Sequence, residues 1–249
     1  MYKVFIIVTL FSLNACNFWD STSNTATSPE TINNVGIDAD HRWTFDSDAA
    51  DSGVVGGWDG VINGAATLSS TSAAYGAKGL LLSGSVGDNI DMGAQTLNSE
   101  STFAYWFFSN DTTHYQHVIG TTNSSLINGI NCVIFNFPSE LYRVYLNHGD
   151  ALGNESAQTN PGTTTLNSWN HIVSTWNNST GAAVIYVNGV QETSTALNGV
   201  ISPLSGNLMV GESNGAYPFA GSIDEVLIYN RILDSTEVLN LYSSYSSLN

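Results

Sequence analysis

Basic residues are scarce in this sequence. Lysine and arginine number 5 against 21 aspartates and glutamates, a formal net charge of −16. With no basic patch to release counterions from a phosphate backbone, this balance argues against nucleic-acid binding. Charge of either sign is sparse, at 10% of residues. Glycine (23), serine, threonine and asparagine take its place, which is the composition of short strands joined by tight turns. No apolar run reaches the roughly 20 residues that a membrane-spanning helix needs. The absence of His-Glu-x-x-His and Cys-x-x-Cys removes two common metal and redox chemistries. What the chain does contain is 42% hydrophobic and 11% aromatic residues, enough apolar surface for the core of one all-β domain. The acidity reads two ways: as solubility, or as clustered oxygen ligands for a hard cation such as Ca²⁺.

The first sixteen residues have the layout of a secretion signal. Lys3 supplies a positive start, and residues 4–13 form a mainly apolar stretch too short to span a bilayer as a helix. It ends in Leu13-Asn14-Ala15-Cys16, which resembles the bacterial lipobox. That resemblance implies cleavage before Cys16, lipidation of its sulfur and amine, and a firm multi-chain anchor. Asn17, not aspartate, follows the cysteine, and the resemblance then favours the outer membrane, with either facing open. An ordinary cleaved signal peptide is the alternative. Removing the leader takes away Lys3 and leaves 4 basic against 21 acidic residues, −17. With Cys16 lipidated, Cys132 has no disulfide partner, and its apolar setting in Asn131-Cys132-Val133-Ile134-Phe135 reads as a buried inert thiol.

Residues 17–37 read as a flexible Ser/Thr/Asn-rich tether, and 38–249 as one domain. Short β-type runs are expected at 41–46, 79–83, 89–92, 101–108, 117–121, 131–137, 141–147, 169–176, 182–188, 190–194, 207–211 and 222–229. Asn188-Gly189 marks a tight hairpin, because both residues accept positive φ. Asp234-Ser235-Thr236-Glu237 has the spacing of a capping box ahead of Val238, Leu239 and Leu241, so a short C-terminal helix is expected. A dozen strands and one helix imply an all-β, two-sheet antiparallel jelly-roll sandwich.

Read in order, several segments resemble the laminin-G-like, concanavalin A-like (pentraxin-type) jelly-roll family. They are Trp43-Thr44-Phe45-Asp46 with Asp51-Ser52-Gly53 and Asp59-Gly60, then residues 79–84 with Asn89-Ile90-Asp91, then Ser101-Thr102-Phe103-Ala104-Tyr105-Trp106. Trp169-Asn170-His171, Tyr186-Val187-Asn188-Gly189 and Gly221-Ser222-Ile223-Asp224-Glu225-Val226 complete the series over about 38–243. Val54, Val55 and Trp58 depart from the small or polar residues usual in the first loop. Some members of the family hold one structural Ca²⁺ near the first loop and last strand, which nominates Asp46 or Asp51 together with Asp224. Hydrogen bonding of these carboxylates to turn amides is the alternative. The laminarinase-type enzymes on the same broad fold need three acids at alternate positions of one strand. Asp224 and Glu225 are adjacent, and regular pleating would put them on opposite faces.

No catalytic set emerges. His114 and His117 read as surface or loop histidines, and His171 as a packed strand residue. Binding remains. Aromatic rings stack on the apolar face of a sugar, and amides and carboxylates bond its hydroxyls. The loop aromatics are Trp58, Tyr75, Tyr115 and Tyr217, with Asn110, Asp111, Asn123, Asp150 and Asn214 as polar neighbours; Tyr115 and Tyr217 are preferred because their surroundings are polar. Core or rim packing is the competing role for such rings. The sequence thus points to a non-catalytic, lipid-anchored envelope protein binding carbohydrate, or alternatively to a protein–protein adhesion or structural component of the envelope. The Asn-x-Ser/Thr sequons at Asn110, Asn123, Asn154 and Asn178 carry no weight in a bacterial lipoprotein.

Overall fold

The computed structural model describes residues 36, 38–112, 115–121, 129–135, 143–150, 153–197, 205–213 and 215–246. The leader with Cys16, the tether apart from Gly36, His114, Asn123 and Asn214 lie outside the described residues.

Among the described residues there are fifteen strands and one helix: β1 (His41–Trp43), β2 (Val61–Asn63), β3 (Thr67–Ser69), β4 (Gly79–Ser83), β5 (Asn89–Thr96), β6 (Glu100–Ser109), β7 (Tyr115–Gly120), β8 (Gly129–Phe135), β9 (Arg143–Asp150), β10 (Gly153–Gln158), β11 (Trp169–Asn177), β12 (Ala182–Val187), β13 (Val190–Ala196), β14 (Ser205–Val210), β15 (Ala220–Tyr229) and α1 (Ser235–Ser246). They build two antiparallel sheets. One runs β13-β12-β11-β6-β15-β4-β3 with β1 also paired to β15, and the other runs β10-β9-β8-β7-β14-β5-β2. All twelve expected strands are present, and the three additional ones, β2, β3 and β10, each end a sheet.

The two inner faces share one core, to which β6 contributes Phe103, Tyr105 and Phe107 and β8 contributes Ile130, Cys132 and Ile134. Such alternation is what a pleated strand does with a buried face. β6 is apolar on its other face as well, because that side is also covered. Ala104 and Trp106 lie in a second cluster with Val173, Leu227 and Tyr229 beneath Val238, Leu241 and Tyr245 of α1. The described domain is therefore layered helix, sheet, sheet.

Local chemistry sets the ends of these elements. Asp234 Oδ1 accepts the amides of Thr236 at 2.8 Å and Glu237 at 2.9 Å, while Glu237 Oε2 accepts the Asp234 amide at 2.8 Å. This reciprocal pairing satisfies the free donors of the first turn of α1. Asn188 and Gly189 take φ of 50° and 80°, the left-handed pair that a two-residue hairpin requires between β12 and β13.

One feature of β15 departs from regular pleating. Asp224 pairs with Trp106 and Leu227 with Ala104, so three residues on β15 span two on β6. The bulge is centred on Glu225, whose φ is +48°. Ile223 and Val226 point into the inner core, and both Asp224 and Glu225 face outward beneath α1. The two carboxylates thus share one face, a correction to the alternation expected from the sequence.

Candidate functional site

The three aspartates considered for calcium are each held by N–H donors, Asp224 and Asp46 by amides of one loop and Asp51 elsewhere. Asp224 is fully buried; its Oδ2 accepts the amides of Ala74 at 2.8 Å and Tyr75 at 3.1 Å, and its Oδ1 accepts the Glu225 amide at 2.9 Å. Asp46 accepts the amides of Ala77 and Lys78 in the same loop. Asp51 takes His41 Nδ1 at 2.7 Å and the amides of Arg42 (2.9 Å), Gly53 (3.0 Å) and Trp58 (3.1 Å). Among the described residues no group of three or more His, Cys, Asp or Glu side chains is arranged to hold a metal ion. Amide hydrogens thus occupy both oxygens of Asp51 and of Asp224 and Oδ1 of Asp46.

The electrostatics differ between these carboxylates. Burial works to raise Asp51, but the bonds from His41 and from the amides of Arg42, Gly53 and Trp58 outweigh it and hold the group below its ordinary value. Burial pushes Asp224 up to about 8, aided by the adjacent Glu225 charge and resisted by the loop amides. Burial likewise raises Glu225 to about 7, against the pull of Arg42 at 3.6 Å and the Tyr245 hydroxyl at 2.9 Å. The His41 and Asp51 side chains are 1% and 0% exposed, Asp224 is fully buried, and Glu225 is buried against Tyr245 of α1.

Trp58 is a structural wedge. Its ring stacks on His41 with centroids 3.5 Å apart at 11°, its carbonyl accepts Trp43 Nε1, and it packs on the inner core. Tyr75 is buried in the second core, 4.7 Å from the Tyr245 ring. Tyr75 presents no free face to a sugar, whereas Trp58 is stacked on one face and half-buried.

Tyr115 and Tyr217 are brought together. Tyr115 opens β7 on the outer face of the seven-stranded sheet and is 39% exposed. Tyr217 comes from the β14–β15 connection and is half-buried, and the two rings meet edge to face with centroids 6.2 Å apart at 79°. The connection is firmly held. The buried Glu212 accepts the amides of Gly87 and Gly215, Ser213 and Ala216 exchange two backbone bonds, and the Tyr217 carbonyl accepts the His117 amide at 2.9 Å. Tyr217 itself has φ of +55°, a left-handed conformation costly for a bulky residue. Asn110 is exposed and Asp111 half-buried in the β6–β7 connection that leads into Tyr115.

His117 departs from its sequence reading. It is a fully buried strand residue, neither surface nor loop, and burial lowers its pKa to about 3. The strand begins two residues earlier than expected, which puts Tyr115 and His117 on one face. With the start set at His117, that period-two relation could not be seen. His171 is packed as expected, among Trp106, Tyr242 and Tyr245. Cys132 is buried, and burial pushes its thiol up to about 12. Gly211-Glu212-Ser213-Asn214-Gly215 matches Gly-x-Ser-x-Gly, a pattern that signals a catalytic serine only on a strand-to-helix turn. Here it connects two strands, and Ser213 is 1% exposed.

Residues 83–239 match a laminin-G family described as the concanavalin A-like lectin/glucanases superfamily. The chain belongs to this superfamily. No curated protein matches it in sequence. Among solved structures it is similar to domain 4 of AbnA, a GH43 extracellular arabinanase from Geobacillus stearothermophilus, in complex with arabinotriose. That match has a TM-score of 0.64 and 18% identity over 82% of this chain and 98% of that one. A botulinum neurotoxin serotype G binding domain gives a TM-score of 0.62 at 17% identity, covering 84% of this chain and 51% of that one. The CBM40 of the Ruminococcus gnavus IT-sialidase, bound to α2,3-sialyllactose, gives 0.50 at 16% identity over 59% and 84%. At these identities the likeness shows the fold.

Proposed function

We propose that this protein is a non-catalytic carbohydrate-binding module, exported and held by lipid on Cys16 at the outer membrane. The observation that carries the reading is the Tyr115–Tyr217 pair, two partly open rings 6.2 Å apart, one opening β7 and the other on a connection clamped by Glu212. Rings fixed before a ligand arrives lose little freedom on binding, and their faces suit the apolar side of a sugar. Asn110 stands in the adjoining connection to bond hydroxyls. The arabinotriose and sialyllactose bound to the similar domains support a glycan as the ligand class. The burial of both carboxylate sets supports a binding role without catalysis.

Val54 and Val55, 66% and 62% exposed at the tip of the first loop, favour a second reading in which the partner is a protein. Retention of the chain on immobilised polysaccharides decides between the two. Tyr115→Ala and Tyr217→Gly should each abolish retention while the fold persists, and EDTA should leave parental retention unchanged. Retention that survives both substitutions removes the tyrosines from the site. No retention by the folded parent moves the function to a protein partner at the valine tip.

A further inference from the structure

We propose that the cleft between the start of the domain, the end of β15 and one face of α1 is a second binding site, and that it takes an aliphatic primary ammonium group. Lysine side chains and small free amines both carry that group. The inference uses none of the residues of the tyrosine site and does not depend on the glycan reading.

Three segments meet at the cleft, which opens to solvent and has a volume of about 260 Å³. Asp40 Oδ2 accepts the amide of Asn230 at 2.7 Å, which pins the chain at Asp38 beside Tyr229 and Arg231. The amide of Leu233 donates to Thr102 Oγ1 at 3.1 Å, and the Asp234 cap starts α1 directly after it. Glu237, Asn240 and Ser244 then recur at spacings of three and four, so one face of the helix turns to the cleft. Leu233 and Leu241, 3% and 8% exposed, supply an apolar wall. The volume falls under the roughly 300–1,000 Å³ usual for small-molecule pockets, so it suits a group the size of one side chain and not an oligosaccharide.

Tyr229 is 2% exposed, yet its hydroxyl has no hydrogen-bond partner among the described residues. Burial raises its pKa, and the charges of Asp38, Arg231, Arg42 and Glu237 also act on it, which places the hydroxyl among the charged groups of the cleft. Polar groups this deep are paired in the great majority of cases, and the cleft gives this one a route to a partner from outside. Among the described residues that line the cleft, Arg231 is the one cation, and both its terminal nitrogens are engaged. Nη1 meets Glu237 Oε1 at 2.7 Å and Nη2 meets Asp38 Oδ2 at 3.4 Å, with the guanidinium 5.5 Å over the Tyr229 ring. Two carboxylates against one guanidinium leave one negative charge in excess. An ammonium brings three donors, no acceptor and the charge that cancels this excess. Tyr229 Oη, Asp38 Oδ1 and the Asn240 amide oxygen are acceptors with no described partner to give up. A methylene chain behind the ammonium would lie along the two leucines. A carboxylate or phosphate would meet the excess negative charge with Arg231 already engaged, and the net charge of −16 repels it further.

Two substitutions probe the site without threatening the fold. Tyr229→Phe removes a hydroxyl that bonds nothing in the protein and keeps the ring, so its denaturation midpoint should be no lower than parental. Asp38→Asn removes a charge from a side chain that is 65% exposed. Asp48→Asn is the control. It removes the same charge from an exposed residue of the β1–β2 connection, where the amide oxygen still accepts from Ala50.

The test titrates the full chain at about pH 7, where an alkyl ammonium keeps its proton, and follows the NMR shift of the Asn240 side-chain amide. The probes are n-butylammonium and Nα-acetyl-lysinamide, with butyrate and n-butanol as the anionic and neutral counterparts. Both amines should bind at the cleft and neither counterpart should. Tyr229→Phe and Asp38→Asn should each weaken amine binding by about tenfold, and Asp48→Asn should leave it parental. Equal affinity for the two amines supports a site that reads the ammonium alone. An affinity at least about tenfold higher for the lysine compound supports the site and assigns it to a lysine of a protein partner. Three outcomes overturn the inference: no shift with either amine, equal binding of butyrate or n-butanol, or parental affinity in both cleft variants. A loss in Asp48→Asn as large as that in Asp38→Asn also overturns it, since diffuse charge and not the cleft would then attract the amine.

Discussion

The outer faces of the two sheets invite comparison, because each carries a buried histidine and each treats it differently. On the eight-stranded sheet, His171 sits in an aromatic box of Trp106, Tyr242 and Tyr245, and α1 covers the face with a second apolar core. On the seven-stranded sheet, His117 lies two residues from Tyr115, which is 39% exposed, and its amide bonds the carbonyl of Tyr217, whose backbone is strained. Burial lowers both imidazoles to about 3. One face is closed by α1, while on the other Tyr115 and Tyr217 stay in reach of solvent. Strain on the open face is what a binding surface tolerates; on the closed face the unpaired ring nitrogens of His171 are offset by packing.

The closed face should break first and hardest. Tyr245 is 1% exposed, contacts the rings of Tyr75, Trp106 and His171, and donates its hydroxyl to Glu225. Tyr245→Ala should cost about 3–5 kcal/mol, through the cavity and the lost bond to a buried carboxyl. Urea unfolding measures it. Polysaccharide retention, measured below the unfolding transition, should stay parental. A cost under about 1 kcal/mol would mean that α1 rests on the sheet without stabilising it.

The faces also differ in how they answer pH. Both histidines are held neutral, so the unfolded chain binds their protons first as pH falls below about 6.5. Their contribution is full above that value and is lost on acidification toward about 3. Asp224 and Glu225 act in the opposite sense. With pKa raised to about 8 and about 7, they favour the fold at low pH, and that contribution is lost as pH rises from about 4 through those values. Glu225→Gln fixes the neutral form. It should match the parent near pH 4 and exceed it by about 2–3 kcal/mol at pH 8. An unchanged pH profile in the variant would show that Glu225 titrates normally and that Arg42 neutralises it fully.

Legibility in the sequence followed the same division. The central strands were readable because both their faces are buried: residues 103–108 are apolar at every position, and 169–176 is rich in aromatic and β-branched side chains. β2, β3 and β10 were not, since an edge strand is held on one side and has little apolar pattern to show. The capping box and the Asn188-Gly189 turn were readable because their chemistry is local. The bulge at Glu225 was not, because nothing in Ile223-Asp224-Glu225-Val226 distinguishes it from regular alternation until β6 is aligned beside it. Tyr115 and Tyr217 were singled out by their polar neighbours, but their contact, across about a hundred residues of chain, is made by the β7–β14 pairing. The unpaired Tyr229 hydroxyl carried no signal at all, because a side chain's lack of partners is a property of the fold.

The finest distinction between the faces lies at the start of α1. Asp234 caps the helix with two bonds from one carboxylate oxygen and receives Glu237 in return. Asp234→Ala removes the cap and leaves two first-turn amides to water, a loss of about 1 kcal/mol. The residue is exposed, so neither a cavity nor a buried charge adds to that figure. Asp234→Asn should recover most of it, since the amide oxygen still accepts from Thr236 and Glu237. Thermal unfolding reads both variants, and hydrogen exchange at the amides of 236–241 shows whether fraying is confined to the helix. If the loss spreads into β7 and the Tyr217 connection, the two outer faces are coupled through the shared inner core. Protection that is lost only in α1 means that the open face keeps its shape whether or not the closed one is fully docked.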